Sequence, residues 1–290
     1  MKRVRAEILN SRRLGAYHTI SVVAPEVSER ARPGHLVSIA MPPDRSQLLR
    51  RSFPIAQASR RAGWAGTIEF VFDPETSGNR WLAEARAHQF LDVIGPVGKA
   101  FAVPQKLTSC LLVSEEEASA PMYYLAEELR AHGKRVDMVV GGRDHEHVYR
   151  PIEAKRLSQT ATIVTEDGSI GERGHVADLV PVFVESSGAQ VIYAMASRPT
   201  LRSVAEVCAE RRIPSLIAVD GPIACATGLC FTCVVPVIRK DGSGFDHLRA
   251  CVEGPVFNPA RILWDRWTAE DGGLAPTPPE GFPVVPTWPG

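Results

Sequence analysis

The sequence has no excess of charge of either sign and no long apolar run. Lys and Arg together number 33, as do Asp and Glu, so no net field would attract nucleic acid or an anionic membrane. No apolar stretch approaches the ~20 residues that cross a bilayer. The first residues run into a polar alternating segment instead of a signal-peptide core. We therefore expect a cytoplasmic protein that binds neither nucleic acid nor membrane.

Cysteine is also scarce, and four of the six cysteines crowd into 27 positions. The spacing Cys-x4-Cys-x2-Cys, followed by one distant cysteine, is the plant-type [2Fe–2S] arrangement. Small residues inside this loop allow backbone amides to turn toward a cluster. A zinc site is the alternative, but zinc sites usually show two Cys-x2-Cys pairs and this loop has one. The predicted cluster ligands are Cys225, Cys230, Cys233 and Cys251.

Two patterns divide the chain near residue 103. Residues 1–102 hold short strands broken by Pro and Gly, which indicate an antiparallel β-barrel; the last is predicted at Phe90–Ile94, after a helix-like run at Asn79–Ala87. Residues 103–220 alternate strands with helices, which indicates a doubly wound parallel sheet of the nucleotide-binding type. The cluster module follows at 221–265. The fold class predicted is therefore multi-domain, β plus α/β.

A proline-rich tail ends the chain at residues 266–290. Its prolines exclude a helix or a central strand, while its apolar side chains are unusual for a solvated segment. Two interpretations stay open: a frayed terminus or an extended strap on a partner subunit.

Weaker signals in the barrel region suggest a flavin. Arg51 can pair with a diphosphate, and Phe53 can stack on an isoalloxazine or adenine ring. The glycine turn at Gly78 opens a helix whose amides could hold phosphate. Each signal is also explained by a solvated arginine pair, a core aromatic or an ordinary turn. The candidate FAD-binding residues are Arg51, Ser52, Phe53, Pro54, Val71, Phe72, Gly78 and Asn79.

The order of these features resembles the electron-transfer subunits of dihydroorotate dehydrogenase, within the ferredoxin reductase-like flavoproteins, over about residues 5–264. Arg51–Pro54 falls where that family has Arg-Pro-x-Ser, and Gly78-Asn79 where it has Gly-Thr. Gly95–Phe101 falls where it has Gly-Pro-Leu-Gly-x-x-Phe. Its Met-Ala-Cys-Gly-x-Gly-x-Cys-x-x-Cys segment resembles residues 223–233, and Cys-x-Asp-Gly-Pro-Val-Phe resembles residues 251–257. The resemblance implies an FAD barrel, a nicotinamide-type domain, a C-terminal [2Fe–2S] module and a catalytic oxidoreductase partner in a hetero-oligomer.

Two departures fall on the pyridine-nucleotide site that the resemblance implies. Glu115-Glu116-Glu117 stands within the stretch where the family has a glycine-rich run, and Met195-Ala196-Ser197 where it has Cys-Gly-Pro. Carboxylates repel a pyrophosphate, and side chains block the close approach that glycine permits. We therefore expect the site to be lost; weak NAD(P)H binding is the alternative. The carboxylates are expected to cap the helix that begins near Ala120.

These patterns together predict an electron-transfer subunit that passes electrons between FAD and a [2Fe–2S] cluster for a partner oxidoreductase, without using NAD(P)H. An NAD(P)H-dependent, diaphorase-like reductase subunit is one alternative. An adaptor subunit with a relic nucleotide domain is another. No Ser/His/Asp or Cys/His nucleophile pattern stands out, so no catalytic residue is predicted.

Overall fold

The computed structural model describes residues 1–42, 49–59, 66–219, 221 and 223–267. Most of the proline-rich tail, from residue 268 onward, lies outside the described residues. None of the described helices is both long enough and apolar enough to cross a bilayer.

The first part of the chain forms a closed six-stranded antiparallel barrel in the order β1-β2-β5-β4-β3-β6. Two short helices, α1 (Pro25–Ser28) and α2 (Ser77–Ala83), interrupt the strands. Alternate residues of each strand point into the barrel, where Phe70, Ile20 and Ile55 are fully buried. The strands are β1 (Lys2–Leu14), β2 (Tyr17–Val23), β3 (Leu36–Ile39), β4 (Arg51–Ser59), β5 (Thr67–Phe72) and β6 (Phe90–Val97).

The barrel prediction is confirmed, with two differences in its elements. The last strand continues through Gly95-Pro96 to Val97, because it keeps pairing with β1 at Gly95 and with β3 at Val97. The helix predicted at Asn79–Ala87 begins two residues earlier and ends at Ala83. Its start is set by Thr76, whose side chain accepts a hydrogen bond from the Asn79 amide, as N-cap threonines do.

The second part is a seven-stranded sheet in the order β10-β9-β8-β7-β11-β12-β15, in which the first six strands run parallel. The central strands are buried on both faces, as in parallel sheets covered by helices. The elements are β7 (Ser109–Glu115), α3 (Ser119–Ala131), β8 (Arg135–Gly142), α4 (Pro151–Leu157), β9 (Thr160–Thr165), β10 (Glu172–Arg173), α5 (Val176–Ser187), β11 (Val191–Met195), α6 (Arg198–Arg211) and β12 (Ser215–Ala218).

The cysteine-rich segment that follows packs on this sheet. Its hairpin is formed by β13 (Val234–Ile238) and β14 (Phe245–Arg249). Its last strand, β15 (Val256–Phe257), pairs antiparallel with β12 and becomes the edge of the seven-stranded sheet. The cysteine-rich segment is thus joined to the α/β sheet by backbone hydrogen bonds.

Candidate functional site

The barrel brings two of the predicted flavin residues into direct contact. Arg51 begins β4, and its guanidinium group lies over Gly78 in the first turn of α2. A Cβ atom at Gly78 would lie 2.4 Å from Arg51 Nε and 3.1 Å from Nη2. Only glycine therefore lets the helix approach the guanidinium so closely. A basic group beside a helix N-terminus suits a phosphate-bearing ligand.

Two polar atoms next to this contact are buried and unpaired. The Ser52 hydroxyl and Asn79 Oδ1 have no hydrogen-bond partner among the residues that the structure describes. Asn79 is held in place because its Nδ2 donates to the Asp73 carbonyl at 2.6 Å. Buried polar atoms in proteins are nearly always satisfied, so these two point to a polar ligand at this place. The residues present thus fit an FAD.

The apolar members of the predicted flavin set lie elsewhere. Phe53 is 7% exposed and stacks on Phe70 inside the barrel, with ring centroids 5.2 Å apart. Phe72 packs against Phe53 there, and Val71 is buried where the barrel meets the α/β domain. Pro54 is half-buried on β4. The structure therefore brings Arg51 to Gly78 but places the Phe53 ring in the protein's own core.

The cysteine loop, residues 225–233, contains several backbone turns of left-handed conformation. Ala226 and Phe231 adopt left-handed conformations, with φ of 57° and 56°, and so does Gly228 at 81°. Left-handed conformations are uncommon for residues other than glycine. At Gly228 a Cβ would lie 2.7 Å from the Val252 side chain. The loop thus combines strained turns with a position that only glycine can fill.

The four predicted ligands lie as two pairs of thiols. Cys230 is the cysteine that affects the pKa of Cys225, and Cys233 is the one that most affects the pKa of Cys251. Within the described part of the chain, no group of three or more His, Cys, Asp or Glu side chains is arranged to hold a metal ion. Two thiolates for each of two irons is the ligand set of a [2Fe–2S] cluster, so the donor chemistry of the pairs fits that group.

The two pairs differ in acidity. Burial alone would raise the pKa of Cys225, but hydrogen bonds from Thr227 and Cys230 lower it to about 6. Burial and the neighbouring Cys233 raise the pKa of Cys251 to about 12. All six cysteines of the chain are free thiols.

Arg249 fastens the cysteine loop from one side. Its guanidinium donates to the Gly228 carbonyl at 3.0 Å and to Glu253 at 2.6 Å. It also lies 5.1 Å from the centre of the Phe231 ring. No local sequence pattern marks this arginine, because its bond to Gly228 joins residues 21 positions apart.

An apolar rim surrounds the exposed end of the loop. Leu229 is 82% exposed and Phe231 is 58% exposed, on either side of the exposed Cys230. Val252 lies beside Gly228 and is also exposed. Clustered exposed apolar side chains mark interaction sites.

A cavity of about 560 Å³ lies at the carboxyl ends of β7 and β11. It is lined by Glu115, Glu116 and Glu117 on one side and by Ala196 and Ser197 on the other. The structure therefore brings together the two segments that depart from the family. Burial raises the pKa of Glu116, which Arg143 partly opposes, and the backbone of Glu116 is left-handed at φ 52°.

The expectation that these carboxylates cap the helix near Ala120 is wrong. That helix, α3, follows Ala118 and has no side-chain cap. The Glu115 carboxylate instead accepts hydrogen bonds from the Ser197 amide at 2.7 Å and the Thr200 hydroxyl at 2.8 Å. Glu115 ends β7 and is directed across the sheet toward α6, so it reaches a different helix from the one that follows it in sequence.

Comparison with known proteins supports the same organisation. Residues 220–263 match the family model described as the iron-sulfur cluster binding domain of dihydroorotate dehydrogenase B. The electron transfer subunit of dihydroorotate dehydrogenase B (NAD(+)) from Desulforamulus reducens is 24% identical over 242 residues, 83% of this chain and 90% of that one. The corresponding subunit from Geobacillus kaustophilus is 29% identical over 240 residues, 82% and 89% of the two chains.

Solved structures show the same fold. The NADH-dependent reduced ferredoxin-NADP oxidoreductase aligns with a TM-score of 0.77 at 22% identity, over 90% of this chain and 91% of that one. Phthalate dioxygenase reductase, which transfers electrons from pyridine nucleotides to [2Fe–2S], aligns with a TM-score of 0.59 at 16% identity, over 86% and 94%. The chain is thus similar in sequence to the electron transfer subunits of dihydroorotate dehydrogenase B and has a ferredoxin reductase-like fold.

Proposed function

We propose that this chain is the electron-transfer subunit of a larger oxidoreductase and that it carries FAD and a [2Fe–2S] cluster. The observation that carries the proposal is the cysteine loop. Its three cysteines, together with Cys251, have the plant-type spacing and lie inside the segment that matches an iron-sulfur cluster binding domain. That match favours the cluster over the zinc alternative.

The residues divide into two cofactor sites. Arg51 would neutralise the diphosphate of FAD and the Ser52 hydroxyl would donate to it, while Asn79 Oδ1 would accept from a hydroxyl or N–H group of the same cofactor. Cys225 and Cys230 would hold one iron, and Cys233 and Cys251 the other. When bound, the flavin accepts two electrons and the cluster one, so together they convert between paired and single electrons. The protein's own part is to fix both groups, while Arg249 holds the cluster loop in shape.

The partner is proposed to be the catalytic subunit of a hetero-oligomer. The rim formed by Leu229, Phe231 and Val252 leaves apolar side chains exposed next to Cys230, and large exposed apolar side chains are favourable at interface centres. A partner seated on this rim would receive or deliver electrons at the cluster. The relatives named as electron transfer subunits support this assignment. A cytoplasmic location is part of the proposal, since cluster ligands must stay reduced.

We further propose that electrons do not come from NAD(P)H. The cavity at the ends of β7 and β11 is lined by three adjacent glutamates, whose charges would oppose a pyrophosphate. The alternative of an NAD(P)H-dependent reductase subunit is supported by the names of the relatives, which include NAD(+). An adaptor with a relic nucleotide domain would need neither cofactor.

Anaerobic purification and titration would test the proposal. The protein should contain FAD, and iron and acid-labile sulfide in equal amounts. Its flavin should keep its absorbance when NADH or NADPH is added without oxygen. Zinc without sulfide would refute the cluster, absence of flavin absorbance would support the adaptor, and rapid stoichiometric bleaching would restore the reductase interpretation.

A further inference from the structure

The cavity at the ends of β7 and β11 lies where the direction of the sheet's connections reverses. The chain leaves β7 through α3 toward β8 on one side, and leaves β11 through α6 toward β12 on the other. In open α/β sheets, ligands bind in the crevice at such a switch point. Anionic ligands there are held by the N-terminus of the following helix. Two helices begin at this crevice, α3 after β7 and α6 after β11, and α6 is 14 residues long.

A side chain of the protein already occupies the N-terminus of α6. Glu115 Oε2 accepts from the Ser197 amide at 2.7 Å, and Oε1 accepts from the Thr200 hydroxyl at 2.8 Å. Thr200 is fully buried. Both carboxylate oxygens are thus bound by groups that an anionic ligand would otherwise use.

The two arginines that line the crevice are engaged by other groups. Arg143 pairs with Glu75 at 3.0 Å and lies 3.9 Å from Asp73. Arg198 donates to the Trp267 carbonyl at 3.0 Å and lies 4.4 Å from the Trp267 ring centre. Glu116, Glu117 and Glu166 add further negative charge along the same walls.

We infer that Glu115 is a specificity-determining residue: its carboxylate is an internal substitute for a bound phosphate and excludes phosphate-bearing ligands from the crevice. This role of Glu115 rests on the proposed function, in which the chain does not use NAD(P)H, and it names the residue responsible. It assigns the lack of NAD(P)H use to one carboxylate and its two hydrogen bonds, rather than to the general charge of the three glutamates.

The test compares anion binding by variants of the protein loaded with both cofactors. Glu115→Ala frees the Ser197 amide and the Thr200 hydroxyl, and Glu115→Gln removes the charge while keeping the shape. Glu117→Ala is the matched control, because it removes one charge from the same crevice without freeing those donors. Affinity for inorganic pyrophosphate and for ADP is measured by calorimetry.

We expect Glu115→Ala to bind both probes roughly tenfold or more tightly than the unaltered protein, with a smaller gain for Glu115→Gln. Adding Thr200→Val to Glu115→Ala should reduce the gain, because one donor is lost. If Glu115→Ala does not fold, Glu115→Gln alone must show the gain.

The inference is overturned if neither Glu115 variant gains affinity, if Glu117→Ala gains as much, or if Thr200→Val leaves the gain intact. Bleaching of the unaltered protein by NADH would contradict the proposed function whatever the variants do. An unaltered protein that NADH leaves unbleached, with variants that gain nothing, would contradict the role of Glu115 alone.

Discussion

Replacing Gly78 with alanine should weaken FAD binding without lowering the stability of the barrel. The added Cβ would lie 2.4 Å from Arg51 Nε and 3.1 Å from Cζ, so the guanidinium group must move. Arg51 would then lose its charge-assisted bond to the diphosphate, worth about 1.5–3 kcal/mol, which corresponds to roughly 10- to 150-fold weaker FAD binding. Alanine is a better helix residue than glycine by about 0.5–1 kcal/mol, so the apoprotein should not be destabilised by the helix itself.

The assay is the flavin-to-protein absorbance ratio after gel filtration, followed by titration of the apoprotein with FAD. Arg51→Ala should weaken FAD binding by a similar factor, and the double variant should lose little more, because both changes remove one interaction. Gly221→Ala is the control, since a Cβ there meets nothing within 4 Å. If Gly78→Ala retains FAD as the unaltered protein does, Arg51 does not hold the diphosphate from this position.

Two further predictions concern the cysteine loop. Changing Leu229 and Val252 together to serine should slow electron transfer to the catalytic partner roughly tenfold, while iron, sulfide and flavin contents stay unchanged. Ile152→Ser is the control, since it alters an equally exposed side chain on α4 and should leave the rate unchanged. An equal loss of rate in that control would refute a local effect. Arg249→Ala should make a chelator bleach the cluster roughly tenfold faster, corresponding to ~1.4 kcal/mol, since two contacts to the loop and one to Glu253 are lost. Arg239→Ala, which removes an ion pair in the hairpin, is its control. Equal bleaching rates in the two variants would show that Arg249 does not stabilise the loop.

The sequence predicts the strands and helices well where periodicity and turn residues agree. The last barrel strand, for example, begins at the predicted Phe90. Strand β4 is not predicted, because Pro54 argues against a central strand. In the structure β4 lies between β3 and β5, with Pro54 opposite Leu36 and an irregularity in register between Ile55 and Gln57.

The candidate site is also predicted from the sequence only where its residues lie close together in the chain. The cluster ligands follow from local spacing, because three of the four lie within nine consecutive residues. The bond between Glu115 and Ser197 joins positions 82 residues apart, and no local pattern encodes which helix a carboxylate will reach. Phe53 illustrates the limit from the other side: the sequence identifies an aromatic in a flavin-like motif, but the packing of the barrel decides which way its ring points, and it stacks on Phe70.

The contacts of the cysteine-rich segment give the nucleotide-type domain a structural role that does not depend on a bound nucleotide. The segment's β15 pairs with β12, and the Val219 amide donates to the Pro255 carbonyl at 3.0 Å. On its other side, the Lys99 amide, just after the last barrel strand, donates to the Gly254 carbonyl at 2.5 Å. The same short stretch is therefore bonded to both domains. Because backbone hydrogen bonds fix position closely, the α/β sheet and the barrel together set where the cluster loop lies relative to β4 and α2. That scaffolding role needs the sheet to be intact but places no requirement on the crevice at its switch point. The crevice is thus free to carry a glutamate where a phosphate would bind.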